Sequence, residues 1–383
     1  MFNSLIYVGF ATGILVGTWT QARWGRKFTV FAMSCIPFVS TTIMITSKER
    51  WQLLAGRVIH YLYAGMELGC LPVYQAELVP QQVRGLAVGS YQMSYGLGNL
   101  LMNLVVKGTA SLSTDASWMI PFGLFYFVPL VVVIGSHFIP ESPRWLVQKG
   151  RVAEARAVLL QTRVNPTEES IDREIRQILL VLEAQDQKGR WADMVRGNNL
   201  LRTTICFGSV FFNQSTGQNF ASSYGAIFIK SIGSVNVQTM GIVNALAGIV
   251  STGLAMLTTD HLGRRFIFCL GAAVQCVALF AMAGLGMVVP STHATGVAIV
   301  CMMTVYGLGY GYGSSSVNHV LIAEVPHHTL RDKTQRICGW TNNLTAFVVA
   351  YSLPYMLNKP GNLGPKVGFI FGPIAFLSLL WGV

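Results

Sequence analysis

Long runs of apolar residues, separated by short polar segments, recur along almost the whole chain. Several runs, such as 119–138 and 266–289, reach about 18 to 25 residues, the length that an α-helix needs to cross the hydrocarbon core of a bilayer. The pattern therefore predicts about eleven membrane-spanning helices. These lie at residues 5–20, 28–46, 53–75, 86–107, 119–138, 204–230, 238–259, 266–289, 295–322, 337–357 and 367–383.

One long polar region interrupts the apolar runs. Between residues 140 and 201 the chain becomes charged, with helix-forming patterns at 152–163 and 168–187. A charged helical segment between two groups of spans is typical of a cytoplasmic linker that joins two bundles. The predicted organisation is an N-terminal helical bundle at 1–139, a cytoplasmic helical linker at 140–201 and a C-terminal helical bundle at 202–383.

The composition agrees with a membrane protein, because 52% of residues are hydrophobic and only 11% are charged, against about 25% charged in soluble domains. The net charge of +11 would suit a nucleic-acid partner if it formed one basic patch, but the basic residues are instead segregated into alternate loops. This asymmetry follows the positive-inside rule and places those loops in the cytoplasm. The loops contain Arg23, Arg26 and Lys27, then Arg84, then Arg264 and Arg265, then Arg331, Lys333 and Arg336.

The two predicted bundles repeat the same short motifs. The sequence Arg-Trp-Gly-Arg-Lys at 23–27 returns as His-Leu-Gly-Arg-Arg at 261–265. In each half an Ala-Glu pair is followed by an arginine seven residues after the glutamate, as Glu77 with Arg84 and as Glu324 with Arg331. A parallel internal repeat is typical of transporters in which two bundles rock about a site near the membrane midplane. The predicted fold class is an all-α membrane protein of two related helical bundles.

Two runs resemble the sugar porter family of the major facilitator superfamily, and the resemblance extends over essentially the whole chain. The sequence Pro-Glu-Ser-Pro-Arg-Trp-Leu at 140–146 is similar to the family signature at the end of its sixth helix. The resemblance implies the major facilitator fold and sugar transport. The second of the two runs is similar to the family's fourth helix and the loop after it. It comprises Gly56, Arg57, Pro72, Tyr74, Glu77, Pro80, Arg84 and Gly85.

The C-terminal part, at 330–334, 354–358 and 366–369, resembles the fungal alpha-glucoside (maltose) permeases within that family. Relative to the family, the chain is expected to start at the second helix and to end inside the twelfth. In related proton symporters the first helix carries the acid thought to take the proton, so the resemblance leaves both coupling and transport open. The family has an acidic residue three positions before the glycine of the repeated Gly-Arg motif. Ala22 occupies that position in the first copy of the motif, and Asp260 occupies it in the second.

The resemblance implies that a run of amides opening the sixth span, at 213–219, binds the sugar. Sugars offer hydroxyl groups, and side-chain amides can both donate to them and accept from them. The alternative is that these amides only join helices to one another. The candidate sugar-binding residues are Gln92, Asn213, Gln214, Gln218, Asn219, Tyr224, Asn342 and Asn343.

The repeated charges at the predicted cytoplasmic ends are expected to form ion pairs between the two bundles, which close one access state and break in the other. The alternative is solvated loop charge, worth about 0 to 1 kcal/mol per exposed pair. The candidate gating residues are Arg23, Arg26, Glu77, Arg84, Glu141, Arg144, Asp260, Arg264, Arg265, Glu324 and Arg331.

Glu67 lies in the middle of the third predicted span, on a stripe with Tyr63, Cys70 and Tyr74. A charged residue there costs about 2.5 to 3.5 kcal/mol on insertion scales, so it is expected to have a partner or a function. Arg57 is ten helical residues away, about 15 Å along the axis, which makes a direct pair unfavourable. Glu67, with Arg57, is the candidate for proton coupling.

The resemblance, together with these patterns, implies proton-coupled uptake of an alpha-glucoside by alternating access, by a multi-pass protein of the plasma membrane. The expected partners are a small sugar, a proton and the lipid bilayer, with no nucleic acid, and the oligomeric state stays open. No enzymatic step, cofactor or metal is expected, since the seven cysteines form no CxxC pair. Two alternatives remain, namely a sugar sensor that does not transport and an incomplete, inactive transporter.

Overall fold

The computed structural model describes residues 2–80, 84–163, 166–186, 191–221, 236–288, 293–326, 330–357, 361 and 363–383, and the regular structure in these ranges is helical throughout. The helices are α1 (Phe2–Trp24), α2 (Arg26–Ile45), α3 (Arg50–Leu78), α4 (Arg84–Thr109), α5 (Ala116–Gly123), α6 (Phe127–Ser136), α7 (Pro143–Gln148), α8 (Val152–Thr162), α9 (Glu168–Asp186), α10 (Asn198–Ser215), α11 (Val237–Leu262), α12 (Arg264–Leu285), α13 (His293–Gly309), α14 (Ser316–Glu324), α15 (Arg331–Leu357) and α16 (Gly368–Gly382). Short 3₁₀ turns occupy Leu124–Tyr126, Trp191–Val195 and Gly364–Val367, and a π-helical segment at Tyr310–Ser315 joins α13 to α14.

By length and apolar composition, seven helical segments among the described residues qualify as membrane spans. Four further long helices, α3, α4, α10 and α15, coincide with predicted spans and carry more polar residues, as spans do where they face a protein interior. The prediction of an all-α membrane protein with about eleven spans is confirmed. Within the described residues, seven segments are long and apolar enough to cross a membrane, namely Ser4–Trp24, Arg26–Ile45, Ala116–Ser136, Val237–Thr259, Arg264–Leu285, His293–Ile322 and Gly364–Gly382.

In the N-terminal half, α1 packs along α3, and α2 packs on α3 and α6. Small residues allow the first pair to approach closely, since a Cβ added at Gly13 would lie 2.2 Å from the carbonyl oxygen of Leu62, and one at Gly65 would lie 2.1 Å from that of Phe10. In the C-terminal half, α12 packs on α13 and α16 around a buried cluster that includes Leu279 and Phe371. Each half therefore has its own packed interior.

The repeated glycine-arginine motif forms the same joint in both halves. Gly25 (φ 96°, ψ 170°) is the single non-helical residue between α1 and α2, and Gly263 (φ 82°, ψ 150°) occupies the same place between α11 and α12. Only glycine adopts this backbone conformation without strain. The motif is thus a sharp reversal between two antiparallel spans, and its recurrence agrees with the internal repeat.

The polar region between the halves contains both predicted helices, as α8 and α9, and also α7, which the sequence pattern did not indicate. It is fastened to the N-terminal half, because Trp145 Nε1 donates to the carbonyl oxygen of Ala22 at 3.2 Å and Arg163 Nη1 donates to that of Leu78 at 2.8 Å. Its last part belongs with the C-terminal half, where the Lys333 ammonium lies 5.0 Å from the ring centroid of Trp191.

The two halves meet where α1 packs on α15 and where α4 packs on α11. Close approach occurs in the part of these helices away from the charged loops, since a Cβ added at Gly241 would lie 2.3 Å from Asn103 Oδ1. Near the middle of the same pair, a Cβ added at Gly96 would lie 3.0 Å from Ile249 Cγ1. The described contacts between the halves therefore concentrate at the middle and at the end opposite the basic loops.

Candidate functional site

A break in the sixth span positions the predicted amide cluster. Helix α10 ends at Ser215, Gly217 follows with φ +99°, and the chain then makes a further helical turn at Phe220. A Cβ at Gly217 would lie 3.1 Å from the ring of Phe371, so a larger residue would be both strained and crowded. The span predicted over 204–230 is therefore interrupted at this point, and the break separates Asn213 from Asn219.

Asn213 is buried, with 4% of its surface exposed, and its amide is fully bonded. Its Nδ2 donates to the carbonyl oxygen of Ser314 at 2.9 Å, while its Oδ1 accepts from Tyr310 Oη at 2.9 Å and from Gln214 Nε2 at 3.3 Å. This set of partners determines which way the amide faces. Asn213 therefore orients its neighbours and has little capacity left for a ligand.

Gln214 and Asn342 form an amide pair between α10 and α15. Gln214 Nε2 donates to Asn342 Oδ1 at 3.0 Å, in addition to its bond with Asn213, and both side chains are only partly buried. The pairing leaves Gln214 Oε1 as an acceptor and Asn342 Nδ2 as a donor, with neither engaged among the described hydrogen bonds. A neighbouring acceptor and donor suit the adjacent hydroxyl groups of a sugar.

Asn219 and Asn343 have other partners. Asn219 Oδ1 accepts from Tyr7 Oη at 2.7 Å and its Nδ2 donates to the carbonyl oxygen of Ala346 at 3.0 Å, so this side chain joins α1 of one half to α15 of the other. Asn343 Nδ2 donates to the carbonyl oxygen of Gly339 in its own helix at 3.2 Å. In this conformation both amides serve helix packing, and their binding of sugar stays a prediction.

Two tyrosines, Tyr306 just before the glycine-rich segment 307–313 and Tyr310 within it, complete the cluster, although the sequence analysis did not single them out. Tyr306 and Tyr310 stack with ring centroids 6.4 Å apart, and Tyr306 Oη donates to the carbonyl oxygen of Thr216 at 3.1 Å. The Tyr310 hydroxyl lies near those of Tyr7 and Tyr95 from the other half. Their spacing of four residues, one helical turn, is the signal that could have identified them.

Several predicted site residues lie outside the described part of the structure. Tyr224 is in an undescribed segment, and four other candidates are in described helices whose side chains are not described at those positions. Gln218 lies in the turn after Gly217 and is partly buried. The four candidates whose side chains are not described are Arg84, Gln92, Asp260 and Arg331.

Glu67 lies on α3 in the N-terminal half and has a tyrosine partner. Tyr63, one turn earlier, is near enough to its carboxylate for a side-chain hydrogen bond, and Tyr91 of α4 is close enough to interact with it electrostatically. The carboxyl group therefore faces polar hydroxyls, as expected for an acid within a span.

The predicted cytoplasmic charges form a compact cluster in the N-terminal half. Arg26 Nη2 donates to Glu77 Oε1 at 2.9 Å, with only 11% and 8% of the two side chains exposed. Ser142 Oγ donates to the other oxygen of Glu77 at 2.6 Å. Glu141 accepts from the backbone N–H of Arg26 at 2.8 Å and so caps α2. The motif that contains Arg144 thus anchors the linker beneath the first bundle.

The second half repeats the pair in a more exposed form. Arg264 Nη2 donates to Glu324 Oε1 at 3.2 Å, with 34% and 55% of the side chains exposed, and Arg265 Nε donates to the carbonyl oxygen of Gly382 at 3.0 Å. Arg23 lies over the rings of Trp19 and Trp24. In this conformation each described pair joins helices of one half, and gating by pairs between the bundles stays a prediction.

Comparison with known proteins agrees with this architecture. The chain is 27% identical to a high-affinity hexose transporter, ght4, of Schizosaccharomyces pombe, over 98% of this chain and 71% of that protein. It is 25% identical to the high glucose sensor RGT2 of Saccharomyces cerevisiae, over 98% of this chain and 51% of that protein. Among solved structures, the xylose transporter XylE of Escherichia coli in a partially occluded inward-open conformation matches with a TM-score of 0.82 at 20% identity, covering 99% of this chain and 84% of that one.

The family model described as "Sugar (and other) transporter" matches residues 1–383. Its extent covers both helical halves and the polar region between them. With the repeated glycine-arginine joints and the two packed bundles, the match identifies the chain as a member of the sugar transporter family with the major facilitator fold.

Proposed function

We propose that this protein carries a sugar across a membrane by alternating access, with the sugar bound at the Gln214 and Asn342 pair. The observation that carries the proposal is the position of this pair, on two helices of one half and next to Asn213, whose partner Tyr310 lies near Tyr7 and Tyr95 of the other half. Rocking of the halves would then open the pair to one side of the membrane at a time. The plasma membrane is the proposed location.

The distribution of contacts between the halves supports an opening toward the cytoplasm in this conformation. Tyr7 and Asn219 join the halves near the end opposite the basic loops, as do Asn103 and Gly241. The described ion pairs at the basic end each stay within one half. Uptake from outside would require the first set of contacts to separate.

An alpha-glucoside of the maltose type is the proposed substrate class, on the strength of the C-terminal motifs at 330–334 and 354–358. The names of relatives at 25–27% identity point instead to hexoses, so glucose is the competing substrate. A sugar sensor is the second candidate function, favoured by the match to the glucose sensor RGT2. Such a protein would bind sugar without moving it.

Purified protein reconstituted in lipid vesicles separates these candidates. We expect labelled maltose to enter faster than into protein-free vesicles, and unlabelled glucose to compete weakly. Strong competition by glucose with no maltose entry would assign a hexose substrate. Binding of either sugar without entry would favour the sensor, and neither binding nor entry would refute sugar transport.

Glu67 is the proposed proton carrier, because it is an acid within a span whose described partner is a tyrosine hydroxyl. Similarity in fold to the proton:xylose symporter XylE, at 21% identity and a TM-score of 0.80, makes coupling a reasonable expectation. Glu67→Gln keeps the shape of the side chain but cannot exchange a proton. In vesicles it should retain sugar exchange at equilibrium and lose accumulation driven by a pH gradient.

The exposed carboxylate Glu183 of α9 provides a matched control, since Glu183→Gln removes the same charge outside the spans. This control variant should accumulate sugar normally. Accumulation by Glu67→Gln at the level of the control would exclude Glu67 as the carrier.

A further inference from the structure

Gln275 of α12 is a fully buried amide that lies one helix behind the amide cluster. Its exposed fraction is 0%, and its Nε2 donates to Ser314 Oγ at 2.7 Å and to the carbonyl oxygen of Gly271 at 3.3 Å. Neighbouring positions of the same helix that face the protein are apolar or small, such as Ala272, Cys276 and Leu279. A buried amide among apolar residues is costly unless it is bonded. Its Oε1 has no hydrogen-bond partner among the described residues, so the bond from Nε2 to Ser314 indicates what the side chain does.

Ser314 belongs to the π-helical segment Tyr310–Ser315, which touches α12 backbone to backbone. A Cβ added at Gly271 would lie 2.5 Å from Gly313 Cα, so the two glycines allow the contact. π-helical turns are rare and often occur at functional sites. Here side chains reach backbone carbonyls within the turn, as Ser316 Oγ does with Gly311 at 2.7 Å.

Ser314 receives one hydrogen bond from each of two neighbouring helices. Its hydroxyl accepts from Gln275 in α12, and its carbonyl oxygen accepts from Asn213 Nδ2 in α10 at 2.9 Å. Ser314 and Asn213 are themselves buried, at 1% and 4% exposed. Ser314 therefore connects Gln275, bonded to its hydroxyl, to Asn213, bonded to its backbone carbonyl oxygen, and Asn213 Oδ1 extends the connection to Gln214.

We infer that Gln275 is a positioning residue of the sugar site, which holds Ser314 so that its carbonyl oxygen fixes the orientation of the Asn213 amide. The inference rests on the proposed function of the Gln214 and Asn342 pair. With Asn213 Nδ2 held by Ser314, Asn213 Oδ1 faces Gln214 Nε2, and the acceptor Gln214 Oε1 remains for the sugar. Without Gln275, Ser314 is no longer held from α12, so the Asn213 amide relies on Tyr310 for its orientation and Gln214 is presented less firmly to the ligand.

A double-mutant cycle in sugar binding tests the inference, because residues in one hydrogen-bonded chain are not additive. Gln275→Met keeps similar length but removes the bond, and it should weaken sugar affinity about three- to tenfold. In a Gln214→Ala background the same change should have no further effect. Equal effects in both backgrounds would overturn the inference.

Tyr312→Phe is the matched control. It removes a bond between the same π-helical segment and α11, where the Tyr312 and Thr258 hydroxyls are 3.0 Å apart, but it leaves the Ser314 chain intact. This variant should bind sugar as the unmodified protein does. A loss equal to that of Gln275→Met would mean that any disturbance of the segment suffices, which also contradicts the inference.

Amide hydrogen exchange in the absence of sugar provides a readout that does not depend on the proposed function. Gln275→Met and Ser314→Ala should both increase exchange at residues 210–216 at the end of α10, and Tyr312→Phe should not. Unchanged exchange in the first two variants would overturn the positioning role. If the unmodified protein bound no sugar while exchange changed as expected, the proposed function would fail and the hydrogen-bonded chain would stand.

Discussion

Asn342 and Asn343 are adjacent in the sequence, yet they occupy different environments. Asn342 faces Gln214 across the gap between two helices, whereas Asn343 bonds to Gly339 within its own helix. Successive residues on a helix point about 100° apart, so only one of two neighbours can face a given partner. The sequence indicated the pair as candidates but not which member, because that depends on how α15 is rotated against α10.

This difference predicts opposite outcomes for two matched substitutions. Asn342→Ala should weaken sugar binding by about 1 kcal/mol or more, at least about fivefold, because it removes a donor and leaves Gln214 without its partner. Asn343→Ala removes only a bond within the helix and should leave affinity within about twofold. Equilibrium binding of labelled sugar to the purified variants measures both, and equal losses would assign the pair to packing.

At the scale of helices and turns, the apolar runs located the spans well, because run length and bilayer thickness are directly related. The break after Ser215 and the π-helical segment at Tyr310–Ser315 did not follow from periodicity. The positive φ of Gly217 depends on the fit against Phe371. The glycines at 307–313 allow close packing, as at Gly313 against Gly271.

The two glycine joints make a further prediction, because they share a backbone conformation but differ in surroundings. A Cβ at Gly25 would lie 2.2 Å from Glu141 Oε2, whereas one at Gly263 would meet no atom within 4 Å. Gly263→Ala should therefore cost about 1 to 3 kcal/mol through backbone strain alone. Gly25→Ala should cost more, since it also displaces the carboxylate that caps α2.

Thermal unfolding of the two variants in detergent, followed by circular dichroism, gives the comparison. The midpoint should fall for both and fall further for Gly25→Ala. Equal midpoints would show that the contact between Gly25 and Glu141 adds nothing to stability.

For the whole molecule, the repeat predicted two related halves and their order, because the same motif recurs at nearly the same offset. It did not predict the partners of the repeated charges. Arg26 pairs with Glu77, and Arg264 pairs with Glu324, each within its own half. Spacing along a chain shows that a pair is repeated, but which helices it joins depends on how the halves pack and on the access state.

The contacts on the side away from the basic loops lead to the last prediction, which concerns the rocking itself. Asn103 of α4 and Gly241 of α11 lie in different halves, and a Cβ at Gly241 would be 2.3 Å from Asn103 Oδ1. Cysteines at both positions should therefore form a disulfide when oxidised, with little movement of the backbone. If the halves must separate here to admit sugar from outside, oxidation should stop uptake into vesicles, and a reducing agent should restore it.

A cysteine pair within one half is the matched control for this cross-link. A Cβ added at Gly286, after α12, would lie 2.5 Å from Pro365 Cβ, and both positions belong to the C-terminal half. Oxidation of cysteines at 286 and 365 should leave uptake intact, because a rigid half can rock without changing this distance. Full uptake with the Asn103 and Gly241 positions linked would contradict alternating access at this interface, whereas loss of uptake in that variant alone would place the outer gate between α4 and α11.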